Sequence, residues 1–383
     1  MIFALLFAGV FLAQLVAKAV LALRLRGRES APPPCDLREL TVLQPIVSGD
    51  PELEQILRAD RQALPEATFL WLVDRADGEA HAVCRRLAVE FSSVGSTRVQ
   101  ETDEPPSGCN PKMWKQHLAL PSVNTRWLAV IDDDTRVTRR GMEQLIAGVE
   151  SGAMLATGLP CYVPARGFWS GLVTEFVNSA ASLTYLPAAA LAEPVSINGM
   201  CYLARTETVQ RHGLFENLRV ITDDLGVARS VRTAGGRILQ TTQPQFISTT
   251  VHSSRHFARL MHRWFIFIRV LLQRESLTTR VCLLGALLAP ALCFWGALVL
   301  AWWQAAPMIA ASFTLALLAA RSLVIAVVNR VLTGAARHRP LASLAMEACQ
   351  GVFLLSAWLH PVIWWRKRRI RVRAYDDFDY LPS

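Results

Sequence analysis

Within the first 134 residues, three apolar runs each close on or just before acidic residues: "LTVLQPIV" before Asp50, "TFLWLVD" at Asp74, and "RWLAVIDDD" at Asp132, Asp133 and Asp134. The stretches "DPELEQILRADRQAL", "GEAHAVCRRLAVEF" and "RRGMEQLIAGVE" follow or separate them at helical spacing. Strand and helix alternating in this way predict an α/β domain with a parallel-rich sheet. Ligands of such sheets bind beyond the carboxyl ends of the strands. Pro45, Asp50, Asp74, Asp77 and the 132–134 triplet all fall at those ends, so they are the first candidate site residues.

The opening run "MIFALLFAGVFLAQLVAKAVLAL" is long enough to cross a bilayer as a helix. "RLRGR" follows it without a small-residue cleavage site, which predicts a retained anchor rather than a removed signal peptide. The positive-inside rule places Arg24, Arg26 and Arg28 in the cytosol, and with them the chain to about residue 275. From Val281 the pattern changes. Two segments, 281–303 and 308–329, are each long enough to span. A third, 341–365, carries Glu347, His360 and Pro361. Three full crossings would put "RKRRIRVR" on the wrong side for its charge, so the third segment is expected to be re-entrant or interfacial unless the charge rule fails here. The stretches "GFWSGLVTEFVNSAASLTYLPAAALA" and "HFARLMHRWFIFIRVLLQR" combine apolar and polar or cationic groups and are expected at the membrane interface. The predicted organisation is an anchor (1–23), a cytosolic α/β domain (37–250), an interfacial helix (251–275), C-terminal membrane helices (281–365) and a basic tail (366–383).

Composition agrees with a soluble domain carried on membrane helices: 52% hydrophobic residues, 19% charged, mean hydropathy +0.28. The net charge of +9 concentrates beside the apolar spans, which suits anionic lipid headgroups and not nucleic acid. Eight cysteines without a CxxC pair point to reduced thiols, with neither a disulfide framework nor a zinc site.

Adjacent carboxylates repel one another, and burying them unpaired costs several kcal/mol (about 2–7 for even a neutral polar group). A strand-end Asp-x-Asp escapes that cost when it holds Mg²⁺ or Mn²⁺ bridged to a nucleotide diphosphate; a solvated turn is the alternative. In "GCNPKMWKQHLAL", Lys112 offers a compact cation to phosphate, while Pro111 also suits a helix start. In "RVITDDLGVARSV", Asp223 and Asp224 lead a helix, either as caps or with one of them taking the proton from an attacking hydroxyl.

These residues resemble the ceramide glucosyltransferases, within the larger GT-A glycosyltransferases that include cellulose and hyaluronan synthases. The resemblance runs almost end to end, through "QPIVSGDPELE", "LVDRAD", "NPK", "IDDDTRV", "NGMCYLARTETV", "TDDLGVA", "HRW" and "SAWLHPVIWWRKRRIRVR". It implies a GT-A fold in which Asp74 meets the nucleotide base and Asp132 and Asp134 meet the diphosphate and a divalent metal. It further implies Asp224 as general base, with Arg263 and Trp264 closing over the diphosphate and acceptor region. The implied activity is inverting transfer of a hexose, with glucose expected, from a UDP-sugar to the hydroxyl of a membrane lipid such as ceramide.

The match has departures. Leu260 stands where the closing motif has Gln or Arg, the acidic pair is Asp-Asp where Glu-Asp is usual, and three acids fill a metal motif that has one in ceramide enzymes. Hopanoid-type lipid glycosyltransferases share much of the pattern, so they remain an alternative for the acceptor. A processive polysaccharide synthase would need more spans, and a non-enzymatic lipid-binding scaffold would have no use for six acids at strand and helix ends. Glu347, costly at membrane depth, is expected to line the acceptor path, or else to pair with Arg321 and tie two helices together.

Overall fold

From its start the chain builds α1 (Ile2–Arg28), β1 (Leu40–Ile46), α2 (Leu53–Ala63), β2 (Thr68–Asp74) and α3 (Gly78–Glu90). The computed structural model describes residues 1–163, 166–365 and 368–382. β1 is buried at every position because β2 and β4 (Trp127–Ile131) flank it in parallel and helices cover its faces. β3 (Thr97–Thr102) has no apolar run to announce it. Its sequence TRVQET is mostly half exposed, as befits a sheet edge, and it becomes a strand through parallel pairing with β2. α4 (Pro111–Ala119) begins with Pro111 behind an Asn110 cap. The two-residue β5 (Thr135–Arg136) follows the acid triplet, and α5 (Arg139–Glu150) is capped by Thr138.

The second half supplies β6 (Leu155–Tyr162), α6 (Phe168–Ala180), α7 (Tyr185–Leu191), β7 (Cys201–Arg205), α8 (Thr206–Arg211), α9 (Asp223–Thr233) and β8 (Ile238–Ile247). The eight-stranded sheet runs β3-β2-β1-β4-β7-β6-β8-β5. The expected parallel-rich sheet is observed, with β7 inserted antiparallel between β4 and β6. The β6–β8 ladder slips between Thr157 and Leu159. Gly158 sits at the slip, where a Cβ would come within 2.6 Å of the Gln245 side chain and 2.7 Å of Gln243 O.

Next come α10 (Ser254–Arg274), α11 (Leu277–Gln304), α12 (Pro307–Thr333) and α13 (Pro340–Leu359). Four helices, α1, α11, α12 and α13, are long and apolar enough to cross a membrane. Phe11 of α1 meets Phe294 of α11 at 5.1 Å between ring centroids, and Ala8, Ala19 and Ala22 let α1 approach its neighbours closely. At the end of α1, Glu29 accepts hydrogen bonds from Thr242 N, Thr242 Oγ1 and Gln243 Nε2, which fixes the end of this helix to β8.

Both ends of α13 are tied to helices of the α/β domain. Arg339 N, at its start, donates to Glu175 on α6, while near its end Ala357 O accepts from Arg269 and Ser356 Oγ lies 3.0 Å from His262 Nδ1, both on α10. The segment expected as a basic tail supplies β10 (Arg368–Val372) and β11 (Phe378–Leu381), and the end of the segment expected as membrane helix forms β9 (Val362–Trp365), which completes a second sheet with them. This sheet packs on α10, with Arg259 stacked on Trp364 at 4.3 Å. It also reaches the loop before α9, where Ile221 N donates to Tyr375 O and Asn217 Nδ2 to Tyr375 Oη.

Candidate active site

The three acids of the triplet do not share one task. Asp133 turns toward the end of β1 and accepts from Val47 N at 2.7 Å. Asp134 faces the end of β8, accepting from Thr135 Oγ1 at 3.1 Å and Thr249 Oγ1 at 3.4 Å. Asp132 reaches Lys112 Nζ at 2.6 Å. Lys112 in turn contacts Asp223 Oδ2 at 2.7 Å and donates to Gly199 O at 2.7 Å. One ammonium thus joins the end of β4, the first turn of α9 and the loop before β7. Asp224 lies beside the same loop, since a Cβ on Gly199 would come within 2.9 Å of Asp224 Cβ.

Charge in this cleft is unbalanced. Burial opposes the Lys112 charge, yet Asp132 and Asp223 outweigh it and hold the ammonium well above its ordinary pKa. Burial raises Asp132 well above the carboxylate range; Lys112 pulls it back, while Asp223 and Asp134 push it further up. Asp134 is pushed up to about 7, first by burial and then by Asp133. Asp224 also rises to about 7, through burial and the charge of Asp223. A single ammonium cannot neutralise this many carboxylates.

That surplus of hard oxygen donors fits a divalent cation. Among the described residues no group of three or more His, Cys, Asp or Glu side chains forms a closed metal cage. Mg²⁺-type sites on nucleotides use one or two carboxylates and complete the shell with phosphate and water. Asp132 and Asp134 would supply that pair.

Of the other candidates, Asp74 ends β2 partly exposed and pairs with Lys115 at 3.1 Å. Lys115 also donates to Ile46 O, so it braces the ends of β1 and β2 together. Asp77 accepts from Ser48 N and from Ala80 N, capping α3, and Asp50 accepts from Glu52 N ahead of α2. Pro45 is buried within β1, past its last pair with β4. On α10, Arg263 lies over Trp365 at 5.5 Å, and Trp264 stacks on Phe176 and meets Tyr162 edge-on at 6.1 Å. Burial raises the Tyr162 phenol, and the nearby Asp134 carboxylate raises it further. The structure therefore links Trp264 to Asp134 through Tyr162. Glu347 is placed differently: it pairs with Arg321 at 2.7 Å, and Arg321 also donates to Ser343 Oγ. The helix tie, not a contact to the acid cluster, is what the structure shows for it.

Sequence patterns missed Gly199, Tyr162 and Thr249, which complete the cluster through a backbone carbonyl and two hydroxyl-bearing side chains. The signal for Gly199 lay in "NGMC", where a glycine precedes a strand without a turn partner. Asp60 was missed too. Fully buried on α2, it accepts from Gln44 Nε2 at 3.0 Å and from Val137 N at 2.9 Å, pinning the backbone that follows the triplet.

A family model described as glycosyl transferase family 21 matches residues 6–377. No curated protein sequence matches the chain. Among solved structures, the chain is similar to the mannosyltransferase PcManGT from Pyrobaculum calidifontis in complex with GDP-Man and Mn²⁺, with a TM-score of 0.52 and 15% identity. That likeness covers 93% of this chain and 97% of the other, and at this identity it is a likeness of fold. A mycobacterial protein gives a TM-score of 0.38 and 10% identity over 68% of this chain and 80% of its own.

Proposed function

Because the chain belongs to glycosyl transferase family 21, and so is a sugar-nucleotide-dependent glycosyltransferase, we propose that it moves a hexose, with glucose the expected sugar, from a UDP-sugar to the hydroxyl of a membrane lipid at the cytosolic face. The observation that carries this reading is the Lys112 clamp between Asp132 and Asp223, which sets the strand-end acids of a donor site beside the acids that lead α9. Ceramide is the acceptor the sequence resemblance favours. The departure at Leu260 makes a hopanoid or other lipid alcohol the alternative.

The reaction is a single displacement with inversion. Asp224 takes the proton of the lipid hydroxyl, and the oxygen attacks the anomeric carbon from the face opposite the nucleotide. Its raised pKa suits the task, because a base poised near neutrality holds a proton once it has taken it. Lys112 and Arg263 meet the negative charge that develops on the departing diphosphate. A divalent cation held by Asp132, Asp134 and the diphosphate would offset the rest of that charge. Asp74 faces the base, and Trp264, packed on Phe176 and Tyr162, forms the apolar wall against which the acceptor lies.

Asp224→Asn tests the assignment, since Asn keeps the side-chain size and an oxygen for Leu225 N while removing the base. Turnover should fall by roughly 10²-fold or more with nucleotide-sugar affinity little changed. Near-normal turnover would transfer the role to Asp223. Extraction and mass analysis of the product from membranes supplied with each candidate lipid would name the acceptor.

A further inference from the structure

A cavity of about 500 Å³ lies on the far side of β6 from the acid cluster. Side chains alternate across a strand, so Tyr162 faces Trp264 and Asp134 while Leu159 and Cys161 face the membrane helices. Leu159 packs with α1, α11 and α12, and the Cys161 thiol approaches Thr333 at the end of α12. Phe246 pairs with Cys161 from β8 and continues this wall. The opposite wall is α6, joined to α12 where Asn329 Nδ2 donates to Asn178 O. The floor is mainly apolar.

The mouth is cationic. The loop between α12 and α13 contributes Arg337, His338 and Arg339 to the cavity lining. Among the described residues neither the Arg337 nor the Arg339 guanidinium has an ion-pair partner. Arg339 reaches across the loop to α6, where a Cβ on Gly171 would come within 2.9 Å of its Nη1. Glu175 Oε1 lies 2.5 Å from His338 Nδ1, but neither ring nitrogen makes a hydrogen bond among the described residues. The His338 side chain is only 3% exposed. Glu175, the acid on this wall, is already engaged by His338 and by Arg339 N. Among the described residues, two guanidiniums without an ion-pair partner therefore line the mouth of a mainly apolar chamber, beside the buried His338 ring and at the end of a candidate membrane span.

We propose that this cavity is a binding site for an anionic phospholipid, separate from the lipid that is glycosylated. The phosphodiester sits between Arg337 and Arg339, whose guanidinium forks match phosphate oxygens. The glycerol end and first methylenes occupy the chamber beside Cys161 and Phe246, and the acyl chains leave along α12. A sugar nucleotide has no apolar portion to fill that chamber, which argues for a lipid occupant. The site lies behind Tyr162, so occupancy braces the strand that carries Tyr162 toward Asp134.

The test uses the purified full chain in detergent, titrated with phosphatidylglycerol or phosphatidylcholine and read by mass spectrometry of the intact complex and by thermal unfolding. One phosphatidylglycerol should be retained, and phosphatidylcholine should bind more weakly. Arg337→Ala with Arg339→Ala should weaken phosphatidylglycerol binding by about tenfold or more, the order expected from losing charge-assisted contacts. Ala335→Phe, which plugs the cavity and leaves its charges in place, should do the same. Arg28→Ala, an exposed cation at the end of α1 and outside the lining, should leave binding unchanged. Equal binding in all four proteins, or an equal loss in Arg28→Ala, would overturn the proposal as mere surface charge. Stabilisation by soluble glycerol phosphate equal to that by the intact lipid would overturn its lipid part.

Discussion

Replacing Lys112 by Met keeps the stem and removes the cation that contacts both Asp132 and Asp223. The ammonium makes contacts of 2.6 Å to Asp132, 2.7 Å to Asp223 and 2.7 Å to Gly199 O, with only 17% of its side chain exposed. Removing one partner of a buried ion pair costs about 3–5 kcal/mol. Asp132 is 26% open to solvent, so screening reduces that figure to roughly 2–3 kcal/mol. In EDTA the midpoint of thermal unfolding should drop by about 5 °C. If the ammonium acts as counter-charge to the cluster, then Mn²⁺ without nucleotide should stabilise the variant more than the wild type, because the variant has more uncompensated charge to relieve. The gap between the two proteins should therefore narrow on adding the ion. Tryptophan fluorescence or light scattering during heating, with and without EDTA, gives both numbers. A Lys112→Met protein as stable as wild type in EDTA, or a gap untouched by Mn²⁺, would refute the reasoning.

Three further outcomes follow from other groups. Burial pushes the folded-state pKa of Asp60 up to about 8, so the folded chain keeps a proton that the unfolded chain releases near pH 4. Its contribution to stability is whole below pH 4 and is lost as pH rises toward 8, on the order of 5 kcal/mol in all. Asp60→Asn should remove that slope, and a stability difference between wild type and variant that is flat from pH 4 to 8 would contradict it. Glu347→Gln should lower thermal stability, partly restored by Arg321→Gln, and leave the KM for the lipid unchanged; a raised lipid KM with normal stability would return Glu347 to the acceptor path. Asp134→Ala should weaken nucleotide-sugar binding measured by calorimetry in Mn²⁺, and an unaltered affinity would take Asp134 out of the donor site.

Elements with strong local period were legible in the chain. The runs that became β1, β2 and β4 are continuous and apolar because both faces are covered, and the acids at their ends mark where cover stops. β3 was not legible, since a polar edge strand owes its conformation to the neighbour it pairs with. The antiparallel insertion of β7 escaped for a similar reason: CYLAR reads alike in either direction. Within the site, residue type was readable and division of labour was not. The Asp-x-Asp pattern set Asp132 and Asp134 apart from Asp133, but not from each other; contacts with Lys112, Val47 and Thr249, distant in sequence, give the three different partners. Asp77 caps α3 and Asp50 holds the turn ahead of α2, local backbone partners that a strand-end position does not announce.

The small C-terminal sheet has a consequence for how the protein is made. Tyr375 holds the loop before Asp223 through Ile221 N and Asn217 Nδ2, yet it is synthesised after α11, α12 and α13. The acidic pair that leads α9 is therefore finished late, when the last strands return to the loop. A chain stalled during translation can fold its large sheet and insert its helices while this loop still lacks its brace. Until those strands arrive, the loop that leads into Asp223 lacks the two hydrogen bonds that Tyr375 provides.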